Sequence, residues 1–337
     1  MTIRDLIARG AEGRGLTRDQ TVQLLRGIRA GSDEQYLAMS AAASLSRRTF
    51  QGGEVHAQLG VNFGPCSMDC EFCVFGEKHG LAGEPLEMSP DEAAEVARRF
   101  VNDGAHAVYL MDTADFPFDR FLAVGRAVRE AIGPELPLVA NTGDFGEVSA
   151  RRLRETGFTG IYHVRRLGEG AVSRIPPEHR LRTMQHARAA GLEVLSCLEP
   201  IGPEHGPEQL ADVAFQALDA GVTMYATMRR IPVPGTALAA EGMIPEAELA
   251  RITAVIRLAA GDRIRGMGVH EPNVASLMAG ANVLYAEAGP NPRDTRKETS
   301  EGRGRSVSTC RTFLWDAGHD VRARSALAPR AWDREVA

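Results

Sequence analysis

Downstream of residue 53, short apolar runs alternate with amphipathic segments in one repeating order. The runs predicted as strands are Val55–Val61, Ala107–Met111, Leu138–Ala140, Gly160–Val164, Glu193–Cys197, Met224–Met228, Arg263–Met267 and Val283–Tyr285. Helical periodicity fills the intervals 90–103, 119–132, 147–156, 178–190, 207–220, 245–260 and 272–279, and a last helix is predicted over 307–317. Five of the helix-to-strand junctions carry a glycine: Gly104, Gly157, Gly191, Gly221 and Gly280. Glycine at a helix C-terminus takes the left-handed conformation that turns the chain back toward the next strand. Residues 4–48 read as helical, with Thr17 and Gln20 placed as an N-terminal capping box ahead of Val22, Leu24 and Leu25.

Eight strands interleaved with helices predict an α/β fold, a (β/α)8 TIM-type barrel with an N-terminal helical extension. The expected division is residues 1–50 for the extension, 51–320 for the barrel and 321–337 for a C-terminal tail. A doubly wound open sheet is the runner-up, because periodicity does not report closure. The polar stretch 287–306 is the longest loop, read either as a lid or as plain surface.

Composition narrows the function classes. The 337-residue chain is 44% hydrophobic and carries a net charge of −5 with its basic residues dispersed, so neither a nucleic acid nor a membrane is an expected partner. The N-terminus lacks the long apolar stretch of a secretory signal, which points to the cytoplasm. The doublets Arg165-Arg166 and Arg229-Arg230 read as solvated surface, or as anion contacts if they stand at strand ends. There are five cysteines, and three of them, Cys66, Cys70 and Cys73, fall within eight residues. Such clustering favours metal over disulfides.

The cluster reads Gly64-Pro65-Cys66-Ser67-Met68-Asp69-Cys70-Glu71-Phe72-Cys73 and directly follows the first predicted strand. Three thiolates on one short loop can hold three irons of a 4Fe-4S cubane and leave the fourth iron open. That iron can chelate S-adenosylmethionine (SAM), and one electron then breaks the S–C5′ bond to give methionine and a 5′-deoxyadenosyl radical. A zinc site would want a fourth local ligand, and the nearest histidine, His79, is six residues on. A disulfide would strand one cysteine.

The spacing C-x3-C-x2-C with an aromatic before the last cysteine is the radical SAM signature. Over roughly residues 15–318 the chain resembles the biotin synthase-like branch of that superfamily, which includes biotin synthase, methylornithine synthase and the iron-only hydrogenase maturase. Besides the cysteines, the resemblance is carried by Val55-His56, by His179-Arg180-Leu181-Arg182-Thr183-Met184, and by Met278-Ala279-Gly280-Ala281-Asn282. It implies a complete barrel. It implies Asp112 and Thr113 at the SAM amino group, although the glycines of the family's motif are absent there. It implies Arg180 at the SAM carboxylate, where a planar guanidinium suits bidentate pairing. Arg165 or Glu169, after the fourth strand, is expected near the ribose or the substrate, and Ile201 beside the adenine.

The chain also departs from biotin synthase, which holds a second cluster in its barrel on three cysteines and an arginine. Cys197 stands at one of those cysteine positions, but Met111 and Asn141 replace the other two, so dethiobiotin sulfuration is disfavoured. The second N-terminal cysteine triad of lipoyl synthase is absent. Cys197, His270 and Cys310 are the expected ligands of any auxiliary iron–sulfur cluster, with Arg265 and His270 both read as inward-facing. Tyr225, Thr227, Arg229, His270 and Glu271 are the substrate-contact candidates. The expected partners are a small-molecule substrate and a reductant such as flavodoxin or ferredoxin, and a homodimer stays open. The competing functions are sulfur insertion or cofactor assembly, a mutase or lyase of the methylornithine synthase type, and a non-catalytic iron–sulfur protein.

Overall fold

The computed structural model describes residues 1–328. Eight parallel strands form a closed barrel: β1 (Glu54–Gly60), β2 (Ala107–Met111), β3 (Leu138–Asn141), β4 (Gly160–Tyr162), β5 (Glu193–Ile201), β6 (Met224–Arg229), β7 (Gly266–Val269) and β8 (Val283–Ala288). Strand β1 closes the ring by pairing with β2 on one side (His56 opposite Ala107) and with β8 on the other (His56 opposite Tyr285). Closure selects the barrel over the open sheet. The strands are buried on both faces, which explains their near-continuous apolar runs.

Helices α4 (Pro90–Asn102), α5 (Phe118–Ile132), α6 (Glu147–Thr156), α7 (Pro177–Ala189), α8 (Pro207–Asp219), α9 (Glu246–Ala260), the single turn α10 (Val274–Leu277) and α11 (Val307–Asp316) surround it. All five predicted junction glycines have positive φ, from +76° to +101°. The residues 4–48 divide into α1 (Ile3–Ala11), α2 (Arg18–Gly27) and α3 (Asp33–Thr49). Thr17 and Gln20 exchange the two capping hydrogen bonds at the start of α2. Leu6, Leu24 and Leu45 share one hydrophobic core with the barrel's outer layer. Two buried arginines of α9 tie the extension down: Arg251 donates to Leu25 O (2.6 Å), and Arg257 to Ser46 Oγ (2.8 Å) and Thr49 Oγ1 (2.6 Å).

Alternation along each strand separates two layers. Tyr109, Tyr162, Cys197, Met224 and Tyr285 pack inside the barrel, while Val108, Ile161, Leu198, Tyr225 and Leu284 pack outward against helices. Strand β7 departs from its predicted range. Residues Gly261–Arg263 form a 3-10 turn, and the strand begins at Gly266. Positions 265 and 270 are an odd number apart, so they cannot share a strand face. Arg265 instead pairs with Glu193 (2.7 Å) at the far end of the barrel, and His270 faces inward. A side chain at Gly268 would meet the Tyr285 hydroxyl at 2.7 Å, so only glycine leaves room for that ring.

Of the expected tail, residues 321–328 cover the N-terminal end of the barrel. Val321 bridges to Gly53, and Leu327 joins the interior cluster. Residues 329–337 lie outside the described residues. No helix among the described residues is long and apolar enough to cross a membrane.

Candidate active site

The C-terminal ends of the strands open into a cavity of about 960 Å³, its mouth included. Barrels place their functional loops at this end. Cys66, Cys70 and Cys73 all line the cavity, and all three are free thiols.

The chain holds the cysteine loop in place largely through its backbone. Cys66 N donates to Phe75 O (2.7 Å), Cys73 N to Cys70 O (3.0 Å), and Glu77 N to Cys66 O (3.2 Å). Neighbouring loops pin it from outside, with Glu71 N donating to Val172 O and Val74 N to Pro292 O, each at 2.9 Å. Asp69 takes a left-handed φ of +49°, which aspartate tolerates better than most residues. Its carboxylate accepts Lys78 N (2.8 Å) and pairs with Arg174 (2.7 Å). Asp115 clamps the other side through Ser67 N (2.5 Å) and Ser67 Oγ (2.8 Å). His79 contacts the Cys70 carbonyl oxygen through its ring nitrogen (3.2 Å) and so serves the loop's shape.

Burial raises all three thiols above their ordinary range, Cys70 to about 11. Backbone N–H groups of Met68, Ala114 and Asp115 are directed at the Cys66 sulfur, and that of Phe75 at Cys73. Such donors stabilise metal-bound thiolates. Among the described residues, only Cys197, Glu199 and His270 bring three ligand atoms within 4.8 Å of one another. Three thiols on one cavity wall, with backbone donors aimed at two of them, match a cluster with three protein ligands better than a four-ligand single-ion site. This donor set therefore fits a cubane cluster with three protein ligands.

Two charged groups beside the cysteines are incompletely satisfied. Asp112, just past β2, accepts Thr142 Oγ1 on one oxygen (3.0 Å), while its other oxygen is buried with no partner. Burial lifts this carboxyl well above the usual range, so a cation is what would ionise it. Arg180, in the first turn of α7, lies 3.4 Å from Asp144 and 3.6 Å from Glu169, and its buried Nε has no hydrogen-bond partner. Burial opposes ionisation of Asp144, but the hydrogen bond from His163 (2.9 Å) and the Arg180 charge hold its pKa below the ordinary range. Thr113 lines the cavity too, but Asn62 occupies both its amide (2.9 Å) and its hydroxyl (2.8 Å).

Of the expected SAM and substrate contacts, Arg165, Glu169, Ile201, Tyr225, Thr227, Arg229 and Glu271 do not line the cavity. Arg165 turns its Nη1 onto Arg166 O (2.8 Å), and it is Arg166 that lines the cavity. Glu169 is buried behind the wall, accepting Arg166 N (2.9 Å) and Ser173 Oγ (3.2 Å), where it shapes the loop and faces Arg180. Ile201 belongs to the outer hydrophobic layer, and the apolar lining includes Phe72, Met111, Val164, Ile175 and Met228. Thr227 likewise faces outward onto Thr253 (2.7 Å), and Arg229 onto Ile244 O (3.2 Å).

Deeper in the barrel, Cys197 and His270 converge, and Glu199 joins them. Cys310 does not, because α11 packs outside β1 and β8 and its cysteine lies in the outer layer. Arg166 Nε donates to Glu199 Oε1 (3.1 Å), and the Tyr162 hydroxyl to Glu199 Oε2 (2.9 Å). The loop 287–306 is neither free lid nor plain surface where it borders the cavity. Arg293 lines the cavity there, and with Arg303 it forms a buried four-membered ion-pair network with Glu271 and Glu287. Glu199 was within reach of sequence reasoning, since a residue two after the inward Cys197 shares its face. Arg166 and Arg293 sit on loops, where no periodicity gives a direction.

The Radical SAM superfamily profile matches residues 64–217. The chain is 30% identical over 261 residues to the biotin synthase of Desulforudis audaxviator, covering 72% of this chain and 78% of that protein. It is 30% identical over 270 residues to biotin synthase 2 of Frankia casuarinae, covering 76% and 72%. Among solved structures, methylornithine synthase (PylB) superposes with a TM-score of 0.77 at 20% identity, over 98% of this chain and 99% of that one. The FeFe-hydrogenase maturase HydG of Carboxydothermus hydrogenoformans gives 0.77 at 14% identity, over 96% and 80%.

Proposed function

From the premise that the chain belongs to the radical SAM superfamily, in its biotin synthase-like branch, we propose that Cys66, Cys70 and Cys73 hold its 4Fe-4S cluster and that Asp112 and Arg180 hold SAM. When bound, the cluster supplies the electron that cleaves SAM to methionine and a 5′-deoxyadenosyl radical, which abstracts hydrogen from a small molecule. The observation that carries the residue assignment is the pair of incompletely satisfied groups beside the cysteines: a buried acid oxygen at Asp112 and a buried guanidinium at Arg180. An amino acid moiety offers an ammonium to the first and a carboxylate to the second. Asp144 and Glu169 aim Arg180, and Asn62 fixes the backbone at Thr113. Arg165 and Ile201 act on wall and packing.

The deeper lining is polar, with Gln58, Asn141, Tyr162, Glu199, His270 and Arg293, and suits a small polar substrate. A second iron–sulfur cluster would have one thiolate to rest on, Cys197, because Cys310 stands outside the wall. The reading is therefore one such cluster per chain, with sulfur insertion into dethiobiotin disfavoured. A flavodoxin- or ferredoxin-type reductant and the reducing cytoplasm suit an oxygen-sensitive cluster. Anaerobic reconstitution followed by dithionite and SAM tests the proposal. Wild-type protein forms 5′-deoxyadenosine, and Cys66→Ala, Cys70→Ala or Cys73→Ala loses both the cluster absorbance and the product. Cleavage of SAM by a single-cysteine variant at the wild-type rate would sink the assignment.

A further inference from the structure

We propose that Cys197, Glu199 and His270 form a mononuclear site for a zinc-class divalent cation, separate from the cysteine-loop cluster and open toward the cavity. The proposal goes beyond the radical SAM reading and does not draw on Cys66, Cys70 or Cys73. Cys197 and Glu199 are consecutive inward residues at the end of β5, and His270 follows β7 across the barrel. Their exposures are 0%, 5% and 1%, and one ligand atom from each lies within 4.8 Å of the others. Zinc-class ions bind sulfur, nitrogen and oxygen at ~2.0–2.3 Å and hold such atoms within that span.

Hydrogen-bond counting adds an independent observation. Tyr162 has one hydroxyl proton and donates it to Glu199 Oε2 (2.9 Å). Its oxygen can then only accept from His270, so Nε2, at 3.1 Å, carries the imidazole proton. Nδ1 is left with its lone pair, fully buried and without any partner. A buried histidine nitrogen with nothing to accept from is uncommon. Stacking of the ring on Tyr285, with centroids 3.8 Å apart, holds that orientation. Tyr162 thus does for His270 what outer-shell partners do for metal-bound histidines, fixing the tautomer and the ring. Glu199 keeps a free lone pair on each oxygen beside its bonds to Arg166 and Tyr162.

Three protein ligands leave one tetrahedral position vacant, the arrangement of catalytic zinc sites. Glu199 and His270 line the cavity, so that position faces the substrate chamber. It would take a substrate oxygen or nitrogen, or water in its absence. Binding displaces the Cys197 thiol proton to solvent.

The test uses the full chain with Cys66, Cys70 and Cys73 all changed to Ala, so that cluster iron is removed, with circular dichroism to confirm folding. Separate titrations of the metal-free protein with Zn2+ and with Co2+ are expected to give one ion per chain, the cobalt titration with a thiolate-to-cobalt charge-transfer band. Cys197→Ser abolishes the band, and His270→Gln and Tyr162→Phe weaken affinity at least about tenfold. Should the triple variant not fold, X-ray absorption at the zinc edge of the cluster-loaded wild type replaces it, with one sulfur and two or more lighter ligands expected. A folded protein that binds neither ion stoichiometrically overturns the proposal. So does a polynuclear iron–sulfur spectrum that depends on Cys197. Formation of 5′-deoxyadenosine reports on the cysteine loop and stands or falls separately.

Discussion

The two ends of the barrel both bury histidine and carboxylate side chains, yet they treat them in opposite ways. At the N-terminal end, Glu54 accepts from Ser325 Oγ (3.0 Å) and Ala326 N (2.5 Å), and pairs with His56 (2.8 Å) and Arg322 (3.1 Å). His56 reaches the Tyr109 hydroxyl with its other nitrogen (2.8 Å), and both nitrogens of His106 meet backbone groups. Leu327 fills the space beneath. At the C-terminal end, Asp112 Oδ1 and His270 Nδ1 are buried without partners, and Arg180 Nε makes no hydrogen bond and meets only the Glu169 carboxylate, at 3.6 Å. Unpaired buried polar atoms cost stability, so a fold keeps them where something else pairs with them. Burial of charge is common to both ends; incomplete pairing distinguishes the end that opens into the cavity.

The sharpest break of this comparison is Glu54→Ala. It strands His56, Arg322 and the Ser325 hydroxyl at once and should cost about 3–5 kcal/mol in urea unfolding, the range for removing one partner of a buried ion pair. Burial works against this carboxylate, but His56 holds its pKa below the ordinary range. A depressed folded pKa contributes stability above the unfolded value of about 4.3 and loses it as pH falls through the folded one. Wild type should therefore lose stability more steeply than Glu54→Ala below that pH. A loss under about 1 kcal/mol at neutral pH would show the saturated network to be incidental.

At the other end the effect should move from stability to ligand. Arg180→Ala is expected to weaken SAM binding about 10–100-fold by equilibrium dialysis, the worth of a charge-assisted hydrogen bond at about 1.5–3 kcal/mol, with the cluster absorbance retained. Asp112→Asn keeps the shape of a neutral acid, so it should change stability by less than about 1 kcal/mol. Its SAM affinity should still fall about tenfold, because an amide cannot take up the ammonium charge. Unchanged affinity in either variant would remove that residue from the SAM site.

Most of the barrel is legible from short apolar runs and junction glycines, because both are local signals. Strand β7 lies beyond its predicted range because Gly266 and Gly268 carry no side chain to mark a face, and the inward expectation for Arg265 fails with it. The cysteine loop was legible because its spacing is chemical rather than structural. Asp115, Arg293 and Asp144 were not, since their partners Ser67, Glu287 and Arg180 lie 36 or more residues away in sequence or on the far side of an irregular loop. Direction is what sequence withholds after a strand ends, and that is why the expectation falls on Arg165 where Arg166 lines the cavity.

Ile201 marks the same limit and gives the smallest expected effect. The resemblance puts it beside the adenine, but its side chain belongs to the layer between barrel and helices and is 1% exposed. Ile201→Val removes one buried methylene and should cost about 0.5–1.5 kcal/mol, read as a lower urea midpoint at constant slope. Dialysis should find SAM affinity within about twofold of wild type, since a shift of less than about 0.4 kcal/mol is all that outer-layer repacking would transmit. The contrast is with Asp112→Asn, where stability holds and affinity falls. If Ile201→Val instead loses affinity and keeps its midpoint, the division between packing wall and binding cavity fails at strand β5, and adenine would have to sit deeper than Val164 and Met228 allow.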